Sequence, residues 1–280
     1  MPELPEVERG RRIAESVAVG RVIVRVKCAR DEIVFENVGA RTFQSKLRGR
    51  TVNAVHRRGK HLFFELDRLP WPLFHFGMTG AFVVPAVEPL KLESTGKKPF
   101  DPSVWPPRFT KIHLWLNDGG ELVMTNARRL GRIRLRENPL DEPPINALGF
   151  DPLHDMPTPT AFTTQLQRRS TVMKALLLDQ TFAAGVGNWI ADEILYQAGI
   201  DPRRRANTLT DAEARRVRSA MKAVIRTAVS VDSVKARFPG SWLFHQRWGK
   251  QADATTTTGE RIEHLTIGGR TTAWVPAKQR

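Results

Sequence analysis

The sequence predicts an α+β chain in two parts: a helix with a run of short strands, then a helical part that ends in a strand hairpin. Three observations predict it. Short alternating apolar runs punctuated by Gly and Pro fill residues 21–136, a Pro-rich aperiodic stretch follows at 138–159, and apolar residues then recur at helical spacing up to residue 230. A length of 280 residues fits two domains, and 41% hydrophobic content is enough for a sizeable core.

Residues 3–17 read as the first helix, with Val7, Ile13 and Val17 facing inward. Strands are expected at 21–27, 32–35, 51–56, 60–66, 73–76, 81–84, 111–116, 121–125 and 131–136, which suggests a β-sandwich or barrel. Residues 85–108 are rich in Pro and Lys and read as a surface insertion. In the second part, Thr158-Pro159 is an N-cap followed by proline, Val172–Leu178 and Asn188–Ala198 are apolar helices, and Thr210-Asp211-Ala212-Glu213 is a capping box. The box opens a long helix with Val217, Met221, Val224 and Ala228 inward. Arg261–Thr266 and Arg270–Val275 flank Gly268-Gly269 and form a hairpin signal.

Net charge is +15, with no basic tail to account for it, and this points to a polyanion, above all nucleic acid. The single cysteine, Cys28, excludes an internal disulfide and a cysteine-built zinc site. No apolar stretch has the length of a membrane span or the form of a secretion signal, so a soluble intracellular protein is expected, with no membrane partner.

The chain opens Met1-Pro2-Glu3-Leu4-Pro5-Glu6. Removal of Met1 would expose the secondary amine of Pro2, which can attack an aldehyde-like carbon and form an iminium. An α-amino group titrates near about 8, so a useful fraction is neutral at neutral pH without burial. Glu3 and Glu6 are placed to act as acid and base. The plainer reading is an acidic first turn complementing a helix dipole.

Elsewhere, Gly185-Val186-Gly187-Asn188 joins two helices, and backbone amides there, with the Asn188 side chain, can donate to a phosphate. Arg168, Arg169, Lys174 and Arg203 to Arg205 lie nearby in sequence and are expected to neutralise phosphates. Arg57-Arg58-Gly59-Lys60 sets Lys60 at a turn before a strand, or is simply a solvated turn. Met78 in a Gly-flanked turn and Leu130 beside Arg128 are apolar and basic turn residues, which cap cores or wedge into base stacks. Arg270 sits at the hairpin turn, where a guanidinium can bridge phosphate oxygens. His75 and His113 read as structural, and no metal and no cofactor are assigned.

Taken in order, the Pro2–Glu8 opening, Gly59-Lys60, His75-Phe76-Gly77-Met78-Thr79-Gly80, Arg128-Arg129-Leu130-Gly131 and Asp179-Gln180 ahead of Gly185-Val186-Gly187-Asn188 resemble a known pattern. It is that of the formamidopyrimidine-DNA glycosylases of the formamidopyrimidine/endonuclease VIII family, and the resemblance runs from Pro2 to about Val275. It implies an N-terminal helix on a two-layer β-sandwich (1–137), a linker (138–159), a helix–two-turns–helix domain (160–240) and a C-terminal finger hairpin (241–280), with DNA in the cleft between. The implied function is base excision repair: a bifunctional glycosylase and abasic-site lyase that removes oxidised bases and nicks by β,δ-elimination. The implied partner is double-stranded DNA with oxidised bases or abasic sites, bound by a monomer. Pro2 matches the nucleophile, Glu3 the proton donor to the sugar ring oxygen, and Glu6 a second active-site carboxylate. Lys60 and Asn188, with Gly187 before it, match phosphate contacts. Met78, Arg128 and Leu130 match the side chains that fill the void left by an everted nucleotide, and Arg270 matches the finger arginine.

Two departures stand out. The third void-filling residue is commonly Phe and is Leu130 here, and the four-cysteine zinc finger of bacterial members is absent. The ending resembles the zincless finger of plant and fungal members, held by packing of Trp274 and Ile267, which favours a eukaryotic origin and the nucleus as location, the cytoplasm otherwise. The competing readings are a non-catalytic damaged-DNA-binding protein of the same fold and an N-terminal-proline tautomerase. The short stretch 230–240 after the long helix suggests a poor lid over an everted base, hence good excision of formamidopyrimidines and hydantoins and weak excision of 8-oxoguanine.

Overall fold

The computed structural model describes residues 1–85, 87, 90, 101, 103–249 and 253–280. The expected insertion at 85–108 therefore lies largely outside the described residues. The chain divides into two compact units, Met1–Ala147 and Leu148–Arg280.

In the first unit, α1 (Leu4–Ala18) begins with Pro5 in its first turn, where a missing N–H is harmless, and buries Leu4, Val7, Ala14 and Ala18. Eight strands follow: β1 (Ile23–Cys28), β2 (Val52–Arg58), β3 (His61–Leu66), β4 (Trp71–His75), β5 (Ala81–Val83), β6 (Thr110–Leu116), β7 (Glu121–Thr125) and β8 (Arg132–Arg136). They form two antiparallel four-stranded sheets, ordered β1-β6-β7-β5 and β2-β3-β4-β8. Phe64 and Phe74 from one sheet meet Phe82 from the other at ring separations of 5.6 and 5.2 Å, so the inward faces share one core. This is the expected α+β arrangement with a two-layer sandwich.

Two elements differ from expectation. Residues 32–34 are a turn and Phe35 makes only an isolated bridge to Ile133, because the Asp31 carbonyl accepts the N–H groups of Val34 and Phe35 at 3.1 and 2.9 Å. A helix absent from the sequence reading, α2 (Ala40–Leu47), buries Phe43 and Leu47, one turn apart, in the sandwich core.

The second unit contains α3 (Pro159–Gln167), α4 (Met173–Leu178), α5 (Asn188–Ala198), α6 (Asp211–Ser230) and the hairpin β9 (Glu263–Ile267) with β10 (Arg270–Trp274). Thr158 caps α3 through a bond from Ala161 N at 3.3 Å. Gly199, at φ 68°, ends α5 in the left-handed conformation that glycine tolerates. The box at the start of α6 is reciprocal: Thr210 N donates to Glu213 Oε2 at 2.8 Å and Glu213 N to Thr210 Oγ1 at 3.3 Å. Replacing Thr210 with Ala should lower stability by about 1 kcal/mol in denaturant titrations, while Thr210→Ser should leave it nearly unchanged.

Candidate functional site

The acidic opening folds back on itself. Glu3, only 2% exposed, is the N-cap of α1, and its backbone N–H donates to Glu6 Oε2 at 2.9 Å. Burial, and then the charge of Glu3, push the Glu6 carboxyl up to about 7. Pro2 is buried, and with Glu6, Arg9, Phe76 and Phe82 it lines a small pocket of about 40 Å³. The pocket is mostly apolar, with the raised carboxyl of Glu6 at its edge.

Lys60 lies in the β2–β3 turn after Gly59, which has φ 57°. Arg57, from the same basic motif, is not a solvated residue. Its side chain is fully buried, its Nε lies 2.8 Å from Glu8 Oε2 of α1, and its Nη1 donates to Gly59 O at 2.9 Å. Arg57 thus fixes the turn that carries Lys60 against the helix that carries Glu3 and Glu6. His75 packs on His61 with rings 4.8 Å apart, and burial followed by the charge of Lys60 pushes it down to about 4. A neutral His75 accepts the Gly77 N–H on Nδ1 at 3.2 Å.

The turns holding Met78 and Arg128–Leu130 are in direct contact. A Cβ on Gly77 would sit 2.3 Å from the Leu130 carbonyl carbon, so only glycine permits the approach. Arg128 N donates to Thr79 Oγ1 at 3.3 Å. Asn126, which sequence reasoning missed, is fully buried between the turns, donating to Phe76 O at 2.8 Å and accepting Gly131 N at 3.2 Å. Nothing in its sequence context signals this, because both partners are set by the fold. Met78 is half-buried, Arg128 is exposed, and Leu130 is 44% exposed. An exposed leucine on a rigid double turn is a ready wedge.

In the second unit, Gly187 caps α5 and Asn188 is its first residue. The Asn188 side chain donates to Thr271 O of β10 at 2.8 Å, while its Oδ1 is buried without a hydrogen-bond partner. One Asn188 N–H is therefore spent on the hairpin. The Gly185 N–H is taken by Gln180 Oε1 at 3.0 Å. Lys174, expected to meet phosphates, is instead fully buried, paired with Asp192 and donating to Asn188 O at 2.8 Å. Arg204 pairs with Glu213 at 2.7 Å and Arg203 with Asp201 at 2.6 Å, while Arg203 and Arg205 stay exposed.

Arg270 is exposed at the tip of the hairpin, beyond Gly268 and Gly269 at φ 57° and 69°. Trp274 is buried, with the Arg203 guanidinium 4.4 Å from its ring centre, and Ile267 is half-buried. Packing is not the only support. Asp192 accepts the Ala273 N–H at 3.1 Å and pairs with Arg247, whose Nε lies 3.1 Å away. Among the described residues no three His, Cys, Asp or Glu side chains converge as a metal site.

Comparison with known proteins gives these residues a context. The Formamidopyrimidine-DNA glycosylase N-terminal domain matches residues 1–133, and the Formamidopyrimidine-DNA glycosylase H2TH domain matches 148–239. A formamidopyrimidine-DNA glycosylase of Arabidopsis thaliana is 41% identical over all of this chain and 71% of its own length. One from Paracoccus denitrificans is 31% identical over the full length of both. The chain belongs to the formamidopyrimidine-DNA glycosylase family. Its fold is similar to that of the Lactococcus lactis enzyme bound to DNA containing an abasic site, with a TM-score of 0.79 at 24% identity over 99% of each chain. It is also similar to an inhibited enzyme complexed with DNA containing N7-benzyl-Fapy-dG, with a TM-score of 0.80 at 24% identity and full coverage. Within the family frame, Pro2 to Leu130 fall in the first matched domain and Asn188 in the second, while Arg270 lies beyond both.

The raised Glu6 has a consequence for stability. Its folded value lies above the ordinary 4.5, so the penalty of burying its charge grows between 4.5 and about 7 and is complete above that. Glu6→Gln should therefore raise the melting temperature by a few degrees at about pH 8 and hardly at all at about pH 4, measured by scanning calorimetry.

Proposed function

We propose that this DNA glycosylase is bifunctional and acts in base excision repair on duplex DNA carrying oxidised bases or abasic sites. The observation that carries the reading is Pro2 buried beside Glu3 and Glu6 at the edge of a small apolar pocket. The proline nitrogen becomes an amine once Met1 is removed. It attacks the anomeric carbon of the damaged nucleotide, the glycosidic bond breaks, and the base leaves with the electron pair and a proton. Glu3 protonates the ring oxygen, the ring opens, and the nitrogen lone pair closes an iminium. Loss of a sugar proton next to the iminium expels the 3′ phosphate, a second elimination expels the 5′ phosphate, and water releases Pro2.

Lys60, Asn188 and Arg270 hold phosphates around the lesion, and Met78, Arg128 and Leu130 occupy the space left in the stack. Similar Lactococcus lactis proteins bound to abasic-site DNA and to N7-benzyl-Fapy-dG DNA support this ligand class. Glu3→Gln should abolish base removal and largely spare strand cleavage at a preformed abasic site, because the open sugar no longer needs ring-oxygen protonation. Equal loss of both activities would contradict the assigned role. Lesion binding without any strand cleavage by the wild-type chain would favour the non-catalytic reading.

Substrate choice follows from the segment after α6. Ser233 is buried and donates its N–H to Ala228 O at 2.8 Å, while Phe238 and Trp242 are buried, 5.0 Å apart, beside Trp189. A segment packed down in this way offers few amides to cap an everted base. Single-turnover excision from matched duplexes should be fast for formamidopyrimidines and hydantoins, which leave the stack more easily, and slow for 8-oxoguanine. Equal rates would remove this segment as the basis of selectivity.

A further inference from the structure

The turn that carries Arg128 and Leu130 has an unusual middle residue. Arg129 has φ 54°, a left-handed backbone that a residue with a Cβ avoids and that glycine would adopt freely. Its guanidinium turns to Asp31, 98 positions away in the chain, with Nε 3.2 and 3.1 Å from the two carboxylate oxygens and Nη2 3.1 Å from Oδ1. This is the forked geometry that Arg forms with a carboxylate and Lys cannot.

Asp31 is itself held. It is 6% exposed, its Oδ2 accepts Lys111 Nζ of β6 at 2.7 Å, and its Oδ1 accepts Val34 N at 3.3 Å. Burial opposes its charge, yet the hydrogen bonds from Arg129 and Lys111 keep its carboxyl at about 2. One buried carboxylate therefore ties together β6, the turn at 31–35 and the turn of Arg128–Leu130. The ends of that last turn are anchored through Thr79 and Asn126. Its middle is held by the fork and by a 3.4 Å bond from Arg132 Nη1 to Arg129 O.

The geometry points to Asp31 as a positioning residue for nucleotide eversion: an electrostatic latch that acts through Arg129 to fix Arg128 and Leu130 in the shape that fills the opened stack. The inference rests on the reading of those two side chains as void-filling. It also accounts for an arginine at a backbone position suited to glycine. The side chain supplies the anchor, and the anchor compensates for the backbone strain.

The test compares Asp31→Asn, Arg129→Gly, their double variant and Leu130→Ala on two substrates. One is a formamidopyrimidine in a matched duplex, followed in single turnover with 2-aminopurine next to the base opposite the lesion. The other is an abasic site in a single strand, where no stack has to be filled. Asp31→Asn and Arg129→Gly should each slow duplex excision and the fluorescence rise by roughly ten- to a hundredfold. The double variant should be no worse than either, and single-strand cleavage should keep its rate. Asp31→Glu should recover part of the duplex rate.

Arg129→Gly relieves the backbone strain, so it keeps the test open if Asp31→Asn folds poorly. Wild-type duplex excision by Asp31→Asn would overturn the latch, as would equal losses on both substrates. Impairment of Arg129→Gly alone would mean that Arg129 acts on DNA directly, which also overturns it. If Leu130→Ala excises from duplexes at the full rate, the void-filling reading fails, and the latch with it.

Discussion

The buried ion pair between Arg57 and Glu8 fixes the start of α1 against the β2–β3 hairpin, and the chemistry of the N-terminal unit depends on that junction. The Arg57 side chain is fully buried and that of Glu8 is 6% exposed, so neither charge has water to fall back on. Glu8 Oε1 also holds Arg11 Nε at 2.8 Å, so loss of Arg57 should cost less than the about 3–5 kcal/mol typical of an isolated buried pair. The pair sits where α1, with Pro2, Glu3 and Glu6, meets the turn of Gly59 and Lys60. The first turn of α1 is buried, capped by its own carboxylates and braced by Arg57, so the residues read as reacting groups under the proposed function are held in place.

The same use of arginine recurs elsewhere in the chain. Arg134 pairs with Glu36, Arg204 with Glu213, Arg247 with Asp192 and Arg129 with Asp31. These side chains shape the framework. Arg128 and Arg270 are exposed on turns, where a guanidinium can reach a phosphate. These pairings leave the +15 surplus on other side chains, and the slope of the salt dependence of DNA binding should count those that meet phosphates.

The local elements were legible in the sequence because their causes are local. The Thr158-Pro159 cap of α3, the Thr210–Glu213 box and the Gly268-Gly269 turn act within a few residues and reappear as expected. The strand expected at 32–35 was not legible, because the Asp31 carbonyl captures its donors in a turn. Helix α2 has only Phe43 and Leu47, one turn apart, as its buried residues, a short local signal. Among the site residues, the chemistry-bearing positions had motif signals. The residues that hold them had none. Lys174 reads as a surface cation and is a buried partner of Asp192, and Asn126 and Asp31 take their roles from contacts far along the chain. Pairings of that kind emerge only when the sheets close.

The central claim is that Pro2 forms a covalent intermediate with the sugar of the lesion. The direct measurement is borohydride reduction of the protein on a formamidopyrimidine duplex, followed by mass spectrometry of the trapped peptide. The account predicts a stable adduct on the nitrogen of residue 2, in chains that have lost Met1, and no adduct when Met1 is retained or an extension precedes it. An adduct on a lysine, or full cleavage activity with the Pro2 nitrogen held in an amide, would contradict it.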